Sequence, residues 1–238
     1  MAKLYYKDDN VAIIHGDCIE AMSKLKKPFD ACITDPPYVL KHSAGGRDAL
    51  SKRMYKNSDA ISFISQGFYC RRTIDMLSTL TKAQNVLMFC SNDQLLELLT
   101  IAADNNLKST VTAWNKTNPP PVAYSNYNSD LEFILWMRSK GAYFNNDEVF
   151  EIKRKCKRYP IVSHKGRLHP TQKPIPLMEE LVRLHSPIGG RILDPFCGSG
   201  TTLIAGLNTG RKVVGIEMDE KYCEIAKQRV LEWYKEHK

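Results

Sequence analysis

Short apolar runs alternate along the chain with stretches whose apolar residues recur every three to four positions. Val11-Ala12-Ile13-Ile14-His15-Gly16-Asp17 reads as a strand ending in a turn, and Ile19 to Leu25 as a short helix. Asp30-Ala31-Cys32-Ile33-Thr34-Asp35 is a second strand, stopped by Pro36-Pro37. Ile61 to Ser78 has helical spacing. Asn85 to Ser91 predicts a strand and Asp93 to Ala103 a helix. Thr110 to Trp114 and Leu131 to Met137 are further strands, separated by a Pro/Asn-rich loop. A helix over 176–185 leads into the strand Arg191 to Leu193, a glycine turn and a helix from about 200. Val213 to Ile216 is the last strand, ended by Glu217, and Asp219 to Lys235 the closing helix. Strands alternating with helices imply βαβ units, a mostly parallel sheet and the α/β class.

Two stretches break the alternation. A polar segment, 39–60, carries Gly45-Gly46 and reads as a mobile loop. The basic part of 145–168 holds Lys153, Arg154, Lys155, Lys157, Arg158, Lys165 and Arg167 against Glu151. Long loops in a compact domain are commonly functional, and a solvated charged face is the plainer reading of both. The chain carries 34 Lys+Arg against 26 Asp+Glu, a net charge of +8, which favours a polyanionic partner. Its start lacks the apolar core of a secretory signal, and no apolar run is long enough to span a bilayer. Seven scattered cysteines without a Cys-x-x-Cys argue against a zinc site or a disulfide framework and for reduced thiols in a cytoplasm. No metal is expected.

Two turns carry chemistry. Asp194-Pro195-Phe196-Cys197-Gly198-Ser199-Gly200-Thr201-Thr202 lies between a strand and a helix, where open α/β sheets bind ligands. It lacks the Gly-Lys-Ser/Thr of a phosphate loop. Leu203 occupies the place of the third small residue of a dinucleotide fingerprint. Asp194 suits a cationic ligand, and Glu217, followed by Met218, stands where an acid holds ribose hydroxyls. Adenosine with an amino-acid tail, S-adenosylmethionine, fits both features; simple turn glycines are the alternative. Asp35-Pro36-Pro37-Tyr38 is a stiff turn offering only acceptors, the Asp35 carboxylate and the Pro36 carbonyl, beside an aromatic face. Two such acceptors would take both hydrogens of a nucleobase amino group and localise its lone pair for attack on a methyl group.

These motifs, with His169-Pro170-Thr171-Gln172-Lys173-Pro174, resemble those of the S-adenosylmethionine-dependent DNA amino-methyltransferases, in the beta-group order with the catalytic motif first. The resemblance covers about 11–233. It implies a single catalytic domain over 1–238, with a Rossmann-like, mostly parallel seven-stranded sheet including one antiparallel strand, in circularly permuted order. Strand 11–17 should then lie beside 213–217. Asp17 would accept from the cofactor adenine, with Cys18 adjacent. His169, Thr171, Gln172 and Lys173 would hold the methionine end, and Asp35 lies near that end too. Pro195, Phe196, Gly198, Gly200, Thr201 and Thr202 would form the cofactor loop. Lys116 would meet phosphate or stay an exposed loop lysine. Segment 145–168 falls where target recognition resides, so Lys153, Arg154, Lys155, Lys157 and Arg158 are expected on double-stranded DNA, and a homodimer would enlarge that surface. The implied activity is methyl transfer to N6 of a flipped adenine at a specific sequence, as in restriction–modification, in a prokaryotic or phage-infected cytoplasm. Cytosine-N4 methylation, and a catalytically silent basic nucleic-acid-binding module, are the alternatives.

Overall fold

The computed structural model describes residues 1–25, 28–37, 73–75, 77, 80–119, 121, 127–169 and 171–237. The strands are β1 (Lys3–Lys7), β2 (Val11–His15), β3 (Ala31–Thr34), β4 (Val86–Cys90), β5 (Lys108–Lys116), β6 (Leu131–Arg138), β7 (Cys156–Tyr159), β8 (Arg191–Asp194) and β9 (Lys212–Glu217). The helices are α1 (Cys18–Ser23), α2 (Asn92–Asp104), α3 (Ile175–His185), α4 (Thr201–Asn208) and α5 (Glu220–Glu236).

The strands form one sheet in the order β1-β2-β9-β8-β3-β4-β6-β5-β7. Parallel pairing runs unbroken from β2 to β4, and β6 is inserted antiparallel between β4 and β5. The expected seven strands are therefore nine among the described residues. The two additional strands are edges, β1 antiparallel to β2 and β7 parallel to β5. Segment 145–168 is thus not wholly a loop. The expected mobile loop 39–60 and most of the 61–78 helix lie outside the described residues; Thr73, Ile74 and Asp75 are helical.

Strand alternation divides the core into two layers. Ala31, Ile33, Leu87 and Phe89 pack toward Leu177, Leu181, Leu203 and Ala226 of α3, α4 and α5. Cys32, Val86, Met88 and Cys90 pack on the other face toward Met22, Ile74, Leu98 and Ile101. Helices on both faces explain why the central strands β3 and β4 are buried throughout.

The permuted order closes as expected. β2 pairs in parallel with β9, His15 opposite Glu217. Tyr5 donates to Glu224 of α5 at 2.7 Å, so the beginning and end of the chain pack together. Parallel pairing brings the C-terminal ends of β2, β9, β8, β3 and β4 to one edge of the sheet. Among the described residues no helix is long and apolar enough to cross a membrane.

Candidate active site

Asp35 follows the last residue of β3, and Pro36 behind it is buried. The two prolines cannot donate, so the turn presents acceptors only. Tyr38 lies outside the described residues. Asp35 Oδ2 pairs with Lys173 Nζ. Lys173, just ahead of α3, is 6% exposed and also reaches Glu132 Oε1 at 2.8 Å. Burial pulls its pKa down, but Asp35 and Glu132 outweigh this and hold it above the ordinary lysine value.

Asp194 ends β8 and is buried. Its Oδ1 accepts from Thr34 Oγ1 at 2.8 Å and from the Phe196 N–H at 3.1 Å, and its Oδ2 from Thr202 Oγ1 at 2.5 Å. Burial raises Asp194 to about 6 against those three hydrogen bonds, and the charge of Asp35 adds to the rise. Asp194 and Thr202 therefore face each other beneath the loop and fix its shape, rather than standing open to a ligand. The loop then turns through Gly198, φ 49°, and Gly200, φ 81°, a region that side chains disfavour. A Cβ on Gly200 would come within 2.9 Å of Ala226 Cβ. Arg229 of α5 donates to the Ser199 carbonyl at 2.7 Å and braces the loop from behind. Gly200 caps α4, whose first residues Thr201 and Thr202 are buried.

Glu217 ends β9. Its Oε2 accepts from the Gly198 N–H and its Oε1 from the Asp219 N–H, each at 2.9 Å, and burial raises its pKa. Next to it, Asp17 caps α1 by accepting from the Glu20 N–H at 2.9 Å. Cys18 opens that helix with a thiol pushed up to about 12, first by burial and then by Asp17. Met218 is exposed, and its carbonyl lies 2.9 Å from His15 Nε2.

The fourth strip is 169–173. The His169 ring lies edge-on to Tyr222, ring centres 4.4 Å apart. A Cβ on Gly198 would stand 3.6 Å from the same ring, so His169 covers the glycine loop. Burial lowers its pKa to about 4, and the charge of Lys173 lowers it further. Thr171 Oγ1 lies 3.1 Å from His169 Nδ1, and Gln172 Oε1 accepts from the Leu168 N–H at 2.8 Å. Pro195 and Phe196 begin the loop between these strips.

Asp17, Asp35 and Glu217 thus stand at the ends of three strands along one edge, around a loop that lacks side chains at Gly198 and Gly200 and that Asp194 shapes from beneath. Acceptors with few donors suit a ligand carrying hydroxyls and positive charge. The matching family model is described as a DNA methylase and spans residues 29–228. The chain belongs to that family. It is a DNA methyltransferase whose cofactor is S-adenosylmethionine. Among similar sequences, the type II methyltransferase M2.DpnII of Streptococcus pneumoniae is 28% identical over 97% of this chain and 93% of that protein. M2.MboI of Moraxella bovis is 30% identical over 95% and 90%. Among solved structures, M1.HpyAVI bound to S-adenosylmethionine is 27% identical, with a TM-score of 0.67 over 92% of this chain and 99% of that one. The cytosine-N4-specific PvuII methyltransferase superposes with a TM-score of 0.74 over 94% and 87%, at 15% identity, and so shares the fold alone.

The methyltransferase keeps two of its expected DNA lysines occupied. Lys157 lies on β7, where alternation turns Lys157 and Tyr159 toward α3 and leaves Cys156 and Arg158 outside. Its side chain is 3% exposed and its ammonium stands 3.2 Å from Glu180 Oε2. Lys157 is therefore a core cation, not a phosphate contact. Lys116, at the end of β5, is 18% exposed and pairs with Glu132 Oε2 at 3.0 Å, rather than standing free on a loop. Sequence reasoning missed Glu132, Tyr222 and Arg229. For Glu132 there was a signal, an acid inside the otherwise uncharged strand run 131–137.

Proposed function

We propose that this methyltransferase methylates N6 of an adenine flipped out of double-stranded DNA at a specific sequence. The observation that carries the reading is the Asp35-Pro36 turn at the end of β3, beside the glycine loop. Asp35 offers an ionised acceptor and Pro36 a carbonyl, which together take both hydrogens of the target amino group. Tyr38 would stack on the flipped base. S-adenosylmethionine supplies an electrophilic methyl group when bound. Glu217 would hold its ribose, Asp17 with Cys18 its adenine, and the loop 195–201 with His169, Thr171 and Gln172 its amino-acid end. Asp35 and Lys173 border that end, and Asp194 and Thr202 keep the loop in shape. Extrusion of the base is required because the amino group is hydrogen-bonded inside the duplex. The bacterial type II relatives support a cytoplasmic, restriction–modification setting.

The test is transfer of labelled methyl to genomic DNA, followed by digestion to nucleosides. N6-methyladenine is expected. Label in N4-methylcytosine would overturn the choice of base.

The outward face of the β7 edge is the proposed DNA surface. Arg154, Lys155 and Arg158 are exposed there and Lys153 is partly so. Changing Lys153, Arg154 and Lys155 to Gln together should flatten the log–log salt dependence of DNA binding, by roughly 0.9 in slope for each phosphate no longer neutralised. Lys157→Met should leave the slope unchanged. An unaltered slope in the triple variant would make this segment a solvated face.

A further inference from the structure

Four charged side chains from four separate elements stand in an alternating row at the catalytic edge. Asp35 after β3 pairs with Lys173 ahead of α3. Lys173 Nζ lies 2.8 Å from Glu132 Oε1 on β6, and Glu132 Oε2 lies 3.0 Å from Lys116 Nζ at the end of β5. Glu132 is only 10% exposed and Lys116 18%. Lys173 is also 4.9 Å from the centre of the buried Phe89 ring, so water has little access to it. Asp194, at the end of β8, is the neighbouring acid whose pKa responds to Asp35.

The arrangement poses a chemical problem. A buried lysine paired with Asp35 alone would neutralise the carboxylate that has to receive the target amino group. The ammonium would compete with that group for the same oxygens. Glu132 changes the balance. It adds a negative charge beside Lys173 and draws ammonium hydrogens away from Asp35. Methyl transfer carries a positive charge from the cofactor sulfur onto the substrate nitrogen, so an added negative charge nearby favours the cation at both ends of its path.

We propose that Glu132 is a positioning residue, which acts through Lys173 to keep Asp35 available to the target amino group and adds negative potential at the transfer site. Lys116 opposes it by sharing the same carboxylate. The inference rests on the amino-methyl-transfer reading.

The test separates charge from structure. S-adenosylmethionine and S-adenosylhomocysteine differ by one methyl group and one positive charge. Calorimetry without DNA therefore reads the potential of the site apart from catalysis. Glu132→Gln should lower the ratio of their affinities, cation over thioether, by roughly 5–20-fold, as expected for removing one unit charge from a partly buried site. Its single-turnover transfer should fall by about tenfold or more, while DNA affinity stays within about threefold, because the loss falls on the transition state. Glu132→Asp, which keeps the charge, should keep the ratio. Lys116→Gln should move the ratio the other way, because Glu132 is then left wholly to Lys173. This variant decides the matter if Glu132→Gln does not fold. Equal weakening of both ligands, or a ratio unmoved in Glu132→Gln, would make Glu132 a structural partner of Lys173 and overturn the inference. A fall in the ratio on Lys116→Gln would do the same. A parent enzyme that puts no methyl on DNA amino groups would instead sink the reading beneath it.

Discussion

Asp35→Asn is expected to cut single-turnover methyl transfer by roughly 10²–10³-fold while DNA remains bound, the usual cost of removing one preorganised electrostatic interaction. The neutral amide can turn its oxygen toward the amino group, but it supports developing positive charge less well. Turned the other way, it sets a donor against a donor. The fold should tolerate the change, because Lys173 keeps Glu132 at 2.8 Å and is not left as an unpaired buried charge. Cofactor affinity is expected to move less than the rate, since Glu217, Asp17 and the glycine loop are untouched. Rapid-quench transfer by Asp35→Asn within about threefold of the parent would remove Asp35 from the chemistry.

The parts of this enzyme legible in the sequence are those where a residue type admits few conformations. Pro36-Pro37 stops β3 and offers no donor wherever it is placed. Gly198 and Gly200 adopt the positive φ that the turn needs. The order of these motifs, set against the family they resemble, was enough to place β2 beside β9. What the sequence concealed was pairing among polar side chains. β7 was hidden because its inward positions are Lys157 and Tyr159, whose alternation does not register as apolar. Both are accommodated by Glu180, which no local pattern connects to them. β1 was hidden for a related reason: Lys3 and Lys7 bound it, and only Tyr5 and Tyr6 lean on the core. The site shows the same limit. Asp35, Asp194 and Glu217 were legible as carboxylates at strand ends, but the sequence does not show that Asp194 is spent on Thr34 and Thr202. Nor does it show that Lys173 stands between two acids.

The Lys157–Glu180 pair should therefore behave as a buried ion pair, and removing one member should be costly. Lys157 is 3% exposed and its ammonium meets Glu180 Oε2 at 3.2 Å. Tyr159 donates to Glu180 Oε1 at 2.6 Å. Burial lowers the Lys157 pKa, and Glu180 only partly restores it. Glu180→Leu leaves that lysine without its acid and should cost about 3–5 kcal/mol, read from urea midpoints at constant slope. The triple variant Lys157→Met, Tyr159→Phe, Glu180→Leu removes the charges and the orphaned hydroxyl together. Apolar replacement of a buried pair is commonly neutral or stabilising, so the triple should lie within about 1 kcal/mol of the parent or above it. DNA affinity and its salt slope should be unchanged in the triple, because none of the three side chains faces the phosphate surface. A Glu180→Leu loss below about 1 kcal/mol would mean that the Lys157 ammonium reaches water without Glu180, as surface pairs do, and would return Lys157 to the candidates for phosphate contact.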